Sequence, residues 1–237
     1  MGIIREIVER DAAAWKLTLT APMLDQLEEY ASILLDWNTR MNLTAIKEPE
    51  GVAVRHFADS LTLLAAVDLP RSASVIDVGT GAGFPGMVLK IVRPDLKLTL
   101  LDSLNKRLIF LDALKTGLGL DADLVHLRAE DGGRRPQLRD QFDLVTARAV
   151  APLNVLCEWC LPYGKPGGRF AAMKGPEAGE EAVGAAKAIH ELNGVLEGKR
   201  DFTLSDGSKR TILLIGKKGE TPQKYPRTAA KIQKAPL

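Results

Sequence analysis

The chain has 237 residues, 46% of them hydrophobic and 26% charged, enough for one globular core and at most a small appended subdomain. No apolar run approaches the roughly 18 residues that cross a membrane, the N-terminus lacks a signal-peptide core, and two cysteines make no disulfide framework; a cytoplasmic protein is expected. A formal net charge of +2 gives no global bias toward nucleic acid.

Residues 3–14 predict a short first helix. Thr20-Ala21-Pro22 marks the start of a second, with proline in its first turn. Leu24, Leu27, Ala31, Leu34 and Leu35 share one face of it, and Asp25, Glu28, Glu29, Ser32 and Asp36 lie opposite. That is an amphipathic helix running to about Arg40. A third helix is expected over 50–66, so residues 1–70 form a helical cap.

From Ser74 the period changes, and strand-like runs alternate with helix-like ones. Strands are expected at 75–78, 96–101, 124–127, 142–147 and 168–173. The intervening helices span 86–93, 103–116 (Ser103 as N-cap, Gly117 as terminator), 152–161 and 177–192. Residues 195–204 and 210–216 read as a hairpin closed by Ser205-Asp206-Gly207-Ser208. The pattern is α/β: a mainly parallel sheet, doubly wound over 71–217, with an antiparallel hairpin at its end. Residues 218–237 form a basic tail, an electrostatic arm for RNA phosphates or simply a solvated terminus. Cys157-Glu158-Trp159-Cys160 has no second ligand pair. It is read as packed helix, and no metal site is expected.

Ligands of open α/β sheets bind outside the carboxyl ends of the strands. Val75-Ile76-Asp77-Val78 runs straight into Gly79-Thr80-Gly81-Ala82-Gly83-Phe84-Pro85-Gly86. A buried strand thus delivers an acid and then a backbone free to take positive φ beside a ligand. Asp102, Arg128-Ala129-Glu130 and Thr146-Ala147-Arg148 end the next three strands. A carboxylate at Asp102 can accept both hydroxyls of a ribose, Glu130 and its neighbours would flank an adenine, and Asp77 suits a cationic amino-acid group. This set fits S-adenosylmethionine. The competing reading is an NAD-dependent oxidoreductase, because Gly81–Gly86 formally fits G-x-G-x-x-G. Against it, Gly79 comes off the strand first, Pro85 has no N–H for a pyrophosphate, and Asp77 would repel bound phosphates.

These residues resemble a known family, the bacterial small-subunit rRNA guanine-N7 methyltransferases (RsmG, also called GidB). The resemblance rests on Asp77–Gly86 together with Asn42-Leu43-Thr44-Ala45-Ile46, Arg55-His56-Phe57-Ala58-Asp59-Ser60-Leu61 and Leu101-Asp102-Ser103-Leu104-Asn105-Lys106-Arg107. Arg128-Ala129-Glu130, Ala147-Arg148-Ala149-Val150 and Lys174-Gly175 follow in family order. It implies a Rossmann-like fold, S-adenosylmethionine as donor, and as acceptor N7 of one guanine of 16S rRNA (guanine-527 in the family's position). By the same resemblance Gly79, Phe84, Ala129, Glu130 and Arg148 are cofactor contacts and Asp102 is the ribose carboxylate; Asp77 and Gly81 join them from the loop itself. The tail keeps Tyr225-Pro226-Arg227 but then departs from the family's glycine- and proline-containing pattern.

Guanine N7 offers a free lone pair, so the chemistry asks for no general base, only alignment and water exclusion. No catalytic residue is assigned; Arg148, His56, Asn42 and Lys174 are the candidates for positioning. Contact with rRNA in the small subunit would come from Arg40, Lys47, Arg55, Lys106, Arg107, Arg134, Arg135, Arg139 and the tail. A non-catalytic rRNA-binding assembly factor on the same fold is the remaining alternative.

Overall fold

The computed structural model describes residues 2–148 and 151–237; Ala149 and Val150, the end of one motif quoted above, lie outside the described residues, as does Met1. Helices α1 (Gly2–Ala14) and α2 (Ala21–Asn38) come first. α3 (Pro49–Val52), a wider π-helical turn (Ala53–Ala58) and α4 (Asp59–Ala66) then run on as one rod. The core adds β1 (Ser74–Val78), α5 (Gly86–Val92), β2 (Lys97–Asp102), α6 (Asn105–Gly117), β3 (Asp123–His126), α7 (Ala129–Gly132) and β4 (Phe142–Arg148). It continues with α8 (Leu153–Cys160), β5 (Gly164–Lys174), α9 (Ala178–Gly184), α10 (Ala186–Glu191), β6 (Gly194–Thr203), β7 (Lys209–Lys217) and α11 (Ala229–Lys234).

The strands form one seven-stranded sheet in the order β3-β2-β1-β4-β5-β7-β6. The first five are parallel, and β7 is antiparallel to both β5 and β6. Chain order reverses between β1 and β4, which makes their carboxyl ends the switch-point crevice of the sheet. Apolar side chains on both sheet faces explain the two cores. One joins Leu27, Tyr30 and Leu34 of α2 and Phe57 and Leu61 of the rod to Met87, Leu100 and Leu111. The other packs Ile76 and Val145 against Leu156, Ala185 and Ile189. Cys157 and Cys160 are buried in this second core, and burial pushes both thiols up. The expected packed-helix role for this pair matches their position.

Several local expectations need correction. α6 starts at Asn105 with Leu104, not Ser103, before it, and the Leu104 amide is fixed by the Asp102 carboxylate (2.9 Å). Its last residue is Gly117, as expected, and the chain turns away through Gly119 (φ +63°), where the amides of Gly119 and Leu120 bond back to Thr116 and Lys115. The helix expected over 177–192 breaks at Ala185, although Ala182, Ala185, Ala188 and Ile189 on either side of the break all reach the core. The tail is docked rather than free. Arg227 donates three ways to Glu158, which is fully buried, and Tyr225 donates to Glu191. Arg139, expected on the RNA side, instead binds the carbonyls of Gly133, Thr221 and Tyr225.

Candidate functional site

A cavity of about 830 Å³ opens at the β1/β4 switch point. One wall is the glycine turn, Gly79 to Ala82 with Phe84. Asp102, Ser103 and Arg107 close one end. The cap supplies the facing wall from Leu43, Thr44, Ile46, Arg55, His56 and Asp59, and Arg148, Lys174 and Arg210 complete it from β4, β5 and β7.

The turn is held from below by Asp77. Its Oδ2 accepts from the Thr80 hydroxyl (2.8 Å) and the Gly86 amide (2.9 Å), while Oδ1 is buried with no partner among the described residues. Burial raises its pKa to about 6, although both hydrogen bonds pull the other way. Gly79, Gly81 and Gly83 all have positive φ. At Gly81 an added Cβ would meet nothing nearer than 4.0 Å, so the space beside it is open. At Gly83 it would lie 2.6 Å from the Tyr30 hydroxyl, because Tyr30 crosses from α2 to donate to the Ala82 carbonyl. Phe84 stacks with both Tyr30 (5.1 Å, 4° between planes) and His56 (4.4 Å, 12°). The cap and the glycine turn are therefore built as one surface.

Asp102, 1% exposed, accepts at Oδ2 from the Gly81 amide (2.9 Å) and Arg107 (3.1 Å). Asp102 is level with His126 in the β2–β3 register. Ala129 and Glu130 follow directly in α7, where Tyr163 donates to the Ala129 carbonyl (2.7 Å) and Glu130 is buried. They sit one strand further along the same sheet end but do not line the cavity, and neither does Asp77.

At the other end Arg148 joins strand to cap. Nη1 donates to the Arg55 carbonyl and to Asp59 Oδ2 (2.9 Å each), and Nη2 donates to His56 Nδ1 (3.1 Å). The π turn makes this reach possible. The Asp59 amide bonds to the carbonyls of Val54 and His56 and leaves that of Arg55 to Arg148. Asp59 Oδ1 also faces Arg210 Nε at 3.2 Å. Burial, reinforced by Arg148, lowers the His56 pKa to about 3, so the ring is neutral. Arginine only donates, so Nδ1 must be the acceptor nitrogen and Nε2 carries the proton. Nε2 lies 2.8 Å from Thr44 Oγ1.

Of the expected positioning residues, Arg148 and His56 meet in this network and Lys174 lines the cavity. Lys174 is bound to the Ala151 carbonyl (2.7 Å) and Glu181 (2.6 Å). Asn42 is exposed, off the cavity, and caps no helix; the neighbouring Asn38 does the structural work. Its side chain accepts from the Leu43 and Thr44 amides and donates to the Thr44 carbonyl. Asp59, Thr44 and Arg210 are site residues not singled out from sequence. The first two lie inside quoted motifs, and an acid among apolar helix neighbours was the available signal for Asp59. Arg210 carries no local signal, because only the hairpin's return brings it there.

The residues fit S-adenosylmethionine. Among the described residues the buried Asp77 Oδ1 has no partner under the turn, the space at Gly81 is open, and the carboxylate expected to meet the ribose is tied to the Gly81 and Leu104 amides and to the part-exposed Arg107.

A family model described as rRNA small subunit methyltransferase G matches residues 23–202. A protein of Pelotomaculum thermopropionicum called ribosomal RNA small subunit methyltransferase G is 46% identical over 100% of both chains. One of Alkaliphilus oremlandii with the same name is 46% identical over 99% of each. Among solved structures, TrmN from Thermus thermophilus shares the fold with a TM-score of 0.53 at 18% identity, covering 70% of this chain and 53% of that one. A SAM-dependent O-methyltransferase from Thermotoga maritima gives 0.53 and 18%, covering 80% and 73%.

Proposed function

This chain belongs to the rRNA small subunit methyltransferase G family, an S-adenosylmethionine-dependent group, and on that premise we propose that it methylates N7 of one guanine of 16S rRNA, guanine-527 by family position. Its partner is then the small ribosomal subunit and its place the cytoplasm. No helix among the described residues is long and apolar enough to cross a membrane. The family assignment displaces the dinucleotide reading of Gly81–Gly86.

The observation that supports the N7 reading best is that, among the described residues, every carboxylate lining the cavity from Asp102 to the cap is already paired with a cation: Asp102 with Arg107, Asp59 with Arg148 and Glu181 with Lys174. The candidate base, His56, has its acceptor nitrogen filled by Arg148 and a pKa near 3. Guanine N7 needs none, because its lone pair is free. The cofactor supplies an electrophilic methyl on a sulfonium. Asp102 would hold the ribose once Arg107 swings aside, and the glycine turn would take the amino-acid end above Asp77. The cap wall would keep water from the reacting line.

Charge is the second requirement, since positive charge passes from sulfur to the base. Apart from Arg107, which would give up Asp102 to the ribose, each cavity cation keeps an acid: Arg148 and Arg210 share Asp59, Lys174 has Glu181 and Arg55 has Asp206. The lining therefore does not oppose a travelling positive charge as bare arginines would. Exposed Lys47, Lys106, Arg134 and Arg135 remain for rRNA phosphates.

The test is tritiated methyl transfer to small subunits from cells that lack this gene, with the product nucleotide mapped. Label in N7-methylguanosine at one position is expected. Label elsewhere, or tight subunit binding with no transfer, would overturn the proposal, the latter in favour of an assembly factor.

A further inference from the structure

We propose that the Thr44 hydroxyl donates a hydrogen bond to O6 of the target base, and that this fixed polarity makes the site accept guanine and reject adenine. The inference rests on the N7 reading above. It follows from counting donors along one chain of contacts. Arg148 can only donate, so His56 Nδ1 accepts, and the neutral ring offers its one proton from Nε2 to Thr44 Oγ1 (2.8 Å). The Ile46 amide donates to the same oxygen (3.0 Å). Both lone pairs of the hydroxyl are then used, and only its hydrogen is left. Among the described residues no acceptor takes that hydrogen, and Thr44 lines the cavity.

The donor cannot turn away cheaply. Asn38 grips the backbone of Leu43 and Thr44 by three hydrogen bonds of 2.9–3.0 Å. The His56 ring at the other side of the hydroxyl is fixed by its stack with Phe84. Thr44 is thus a preorganised donor.

The major-groove edge of guanine presents two acceptors, N7 and O6. N7 must stay unbonded because its lone pair forms the new bond to carbon. O6 is the one acceptor left on that edge for a positioning donor. Adenine presents an amino group in the same place. Two donors would then face each other, and the hydroxyl hydrogen would have no partner.

The test is a double-mutant cycle on full-length protein, between Thr44→Val and a small subunit carrying 2-aminopurine, which keeps N7 and lacks O6, in place of the target guanine. On guanine, Thr44→Val is expected to lower methyl transfer about tenfold, the worth of one neutral hydrogen bond. Thr44→Ser should restore it to within a few-fold. On 2-aminopurine Thr44→Val should cause no further loss, and affinity for S-adenosylhomocysteine should be unchanged. An equal loss on both bases would mean a merely structural Thr44, and a matching loss of S-adenosylhomocysteine affinity would assign the donor to the cofactor; either overturns the inference. Thr44→Ala repeats the cycle should the valine variant not fold. If wild-type enzyme makes no N7-methylguanosine at all, it is the proposed function that fails. Normal N7 methylation that ignores Thr44→Val sinks only the present inference.

Discussion

Asp102 and Asp77 stand at neighbouring strand ends, one facing the cavity and one buried beneath the turn, and their predictions differ accordingly. Asp102→Ala removes a carboxylate that faces the cavity and also ties down the Gly81 and Leu104 amides. It should weaken S-adenosylhomocysteine binding by about 1–3 kcal/mol, read by calorimetry; an unchanged dissociation constant would refute the ribose role. Asp77 would act from below the turn, through its charge. With a pKa of about 6, it is half protonated near that pH. Affinity for the cationic cofactor should therefore climb as pH rises through 6, and Asp77→Asn should flatten that climb. Its stability effect has the opposite sign. The folded chain holds Asp77's proton between pH 6 and the ordinary carboxylate range, so this group adds stability as pH falls through that window. His56, with its pKa lowered to about 3, works against it. Between pH 6.5 and 3 the unfolded chain takes up a proton that the folded one refuses, so stability falls with pH, at most about 1.4 kcal/mol per unit. His56→Asn should remove that part of the acid slope, measured by urea midpoints from pH 4 to 7. Both carboxylates were legible in the sequence because they stop apolar runs. The neutrality of His56 was not, since it depends on Arg148, 92 residues away.

The elements themselves were read well where hydrophobic period decides them. The four strands up to β4 fall within a residue or so of expectation, as does the amphipathic α2. What period cannot show is a change of pitch. The rod from Pro49 to Ala66 was expected as one helix, but its π turn is selected by tertiary contacts of Arg148 with Arg55 and Asp59. The break in the 177–192 helix at Ala185 was not legible either, because Ala178, Ala182, Ala185, Ile189 and Leu192 keep helical spacing across it. The sharpest element-scale prediction concerns α2 against the glycine turn. Gly83→Ala combines φ +94° with a Cβ only 2.6 Å from the Tyr30 hydroxyl. It should destabilise the fold by more than about 2 kcal/mol, whereas Tyr30→Phe, which strips the Ala82 carbonyl of its partner, should cost about 1–3 kcal/mol. Denaturant titration ranks the two, and equal stability of all three proteins would contradict the packing described.

Across the whole molecule, charge composition misled most at the tail. Arg227 and Arg139 count toward a basic surface, yet each spends its guanidinium on Glu158 or on tail carbonyls. A chain ending at residue 217 would leave Glu158 buried without its arginine. A loss of about 3–5 kcal/mol is expected, seen as a lower melting temperature; an unaltered melting temperature would show that the tail contributes no stability. The far wall of the molecule carries a different consequence. Because Tyr30 and His56 both rest on Phe84, the helical rods cannot shift without disturbing the turn that would cradle the methyl donor. Any movement of those rods on docking rRNA would therefore be felt as a change in donor affinity, and by thermodynamic reciprocity the donor must alter rRNA affinity by the same factor. Loading order would then be a matter of concentration rather than of mechanism, each ligand shifting the other's affinity by one common factor.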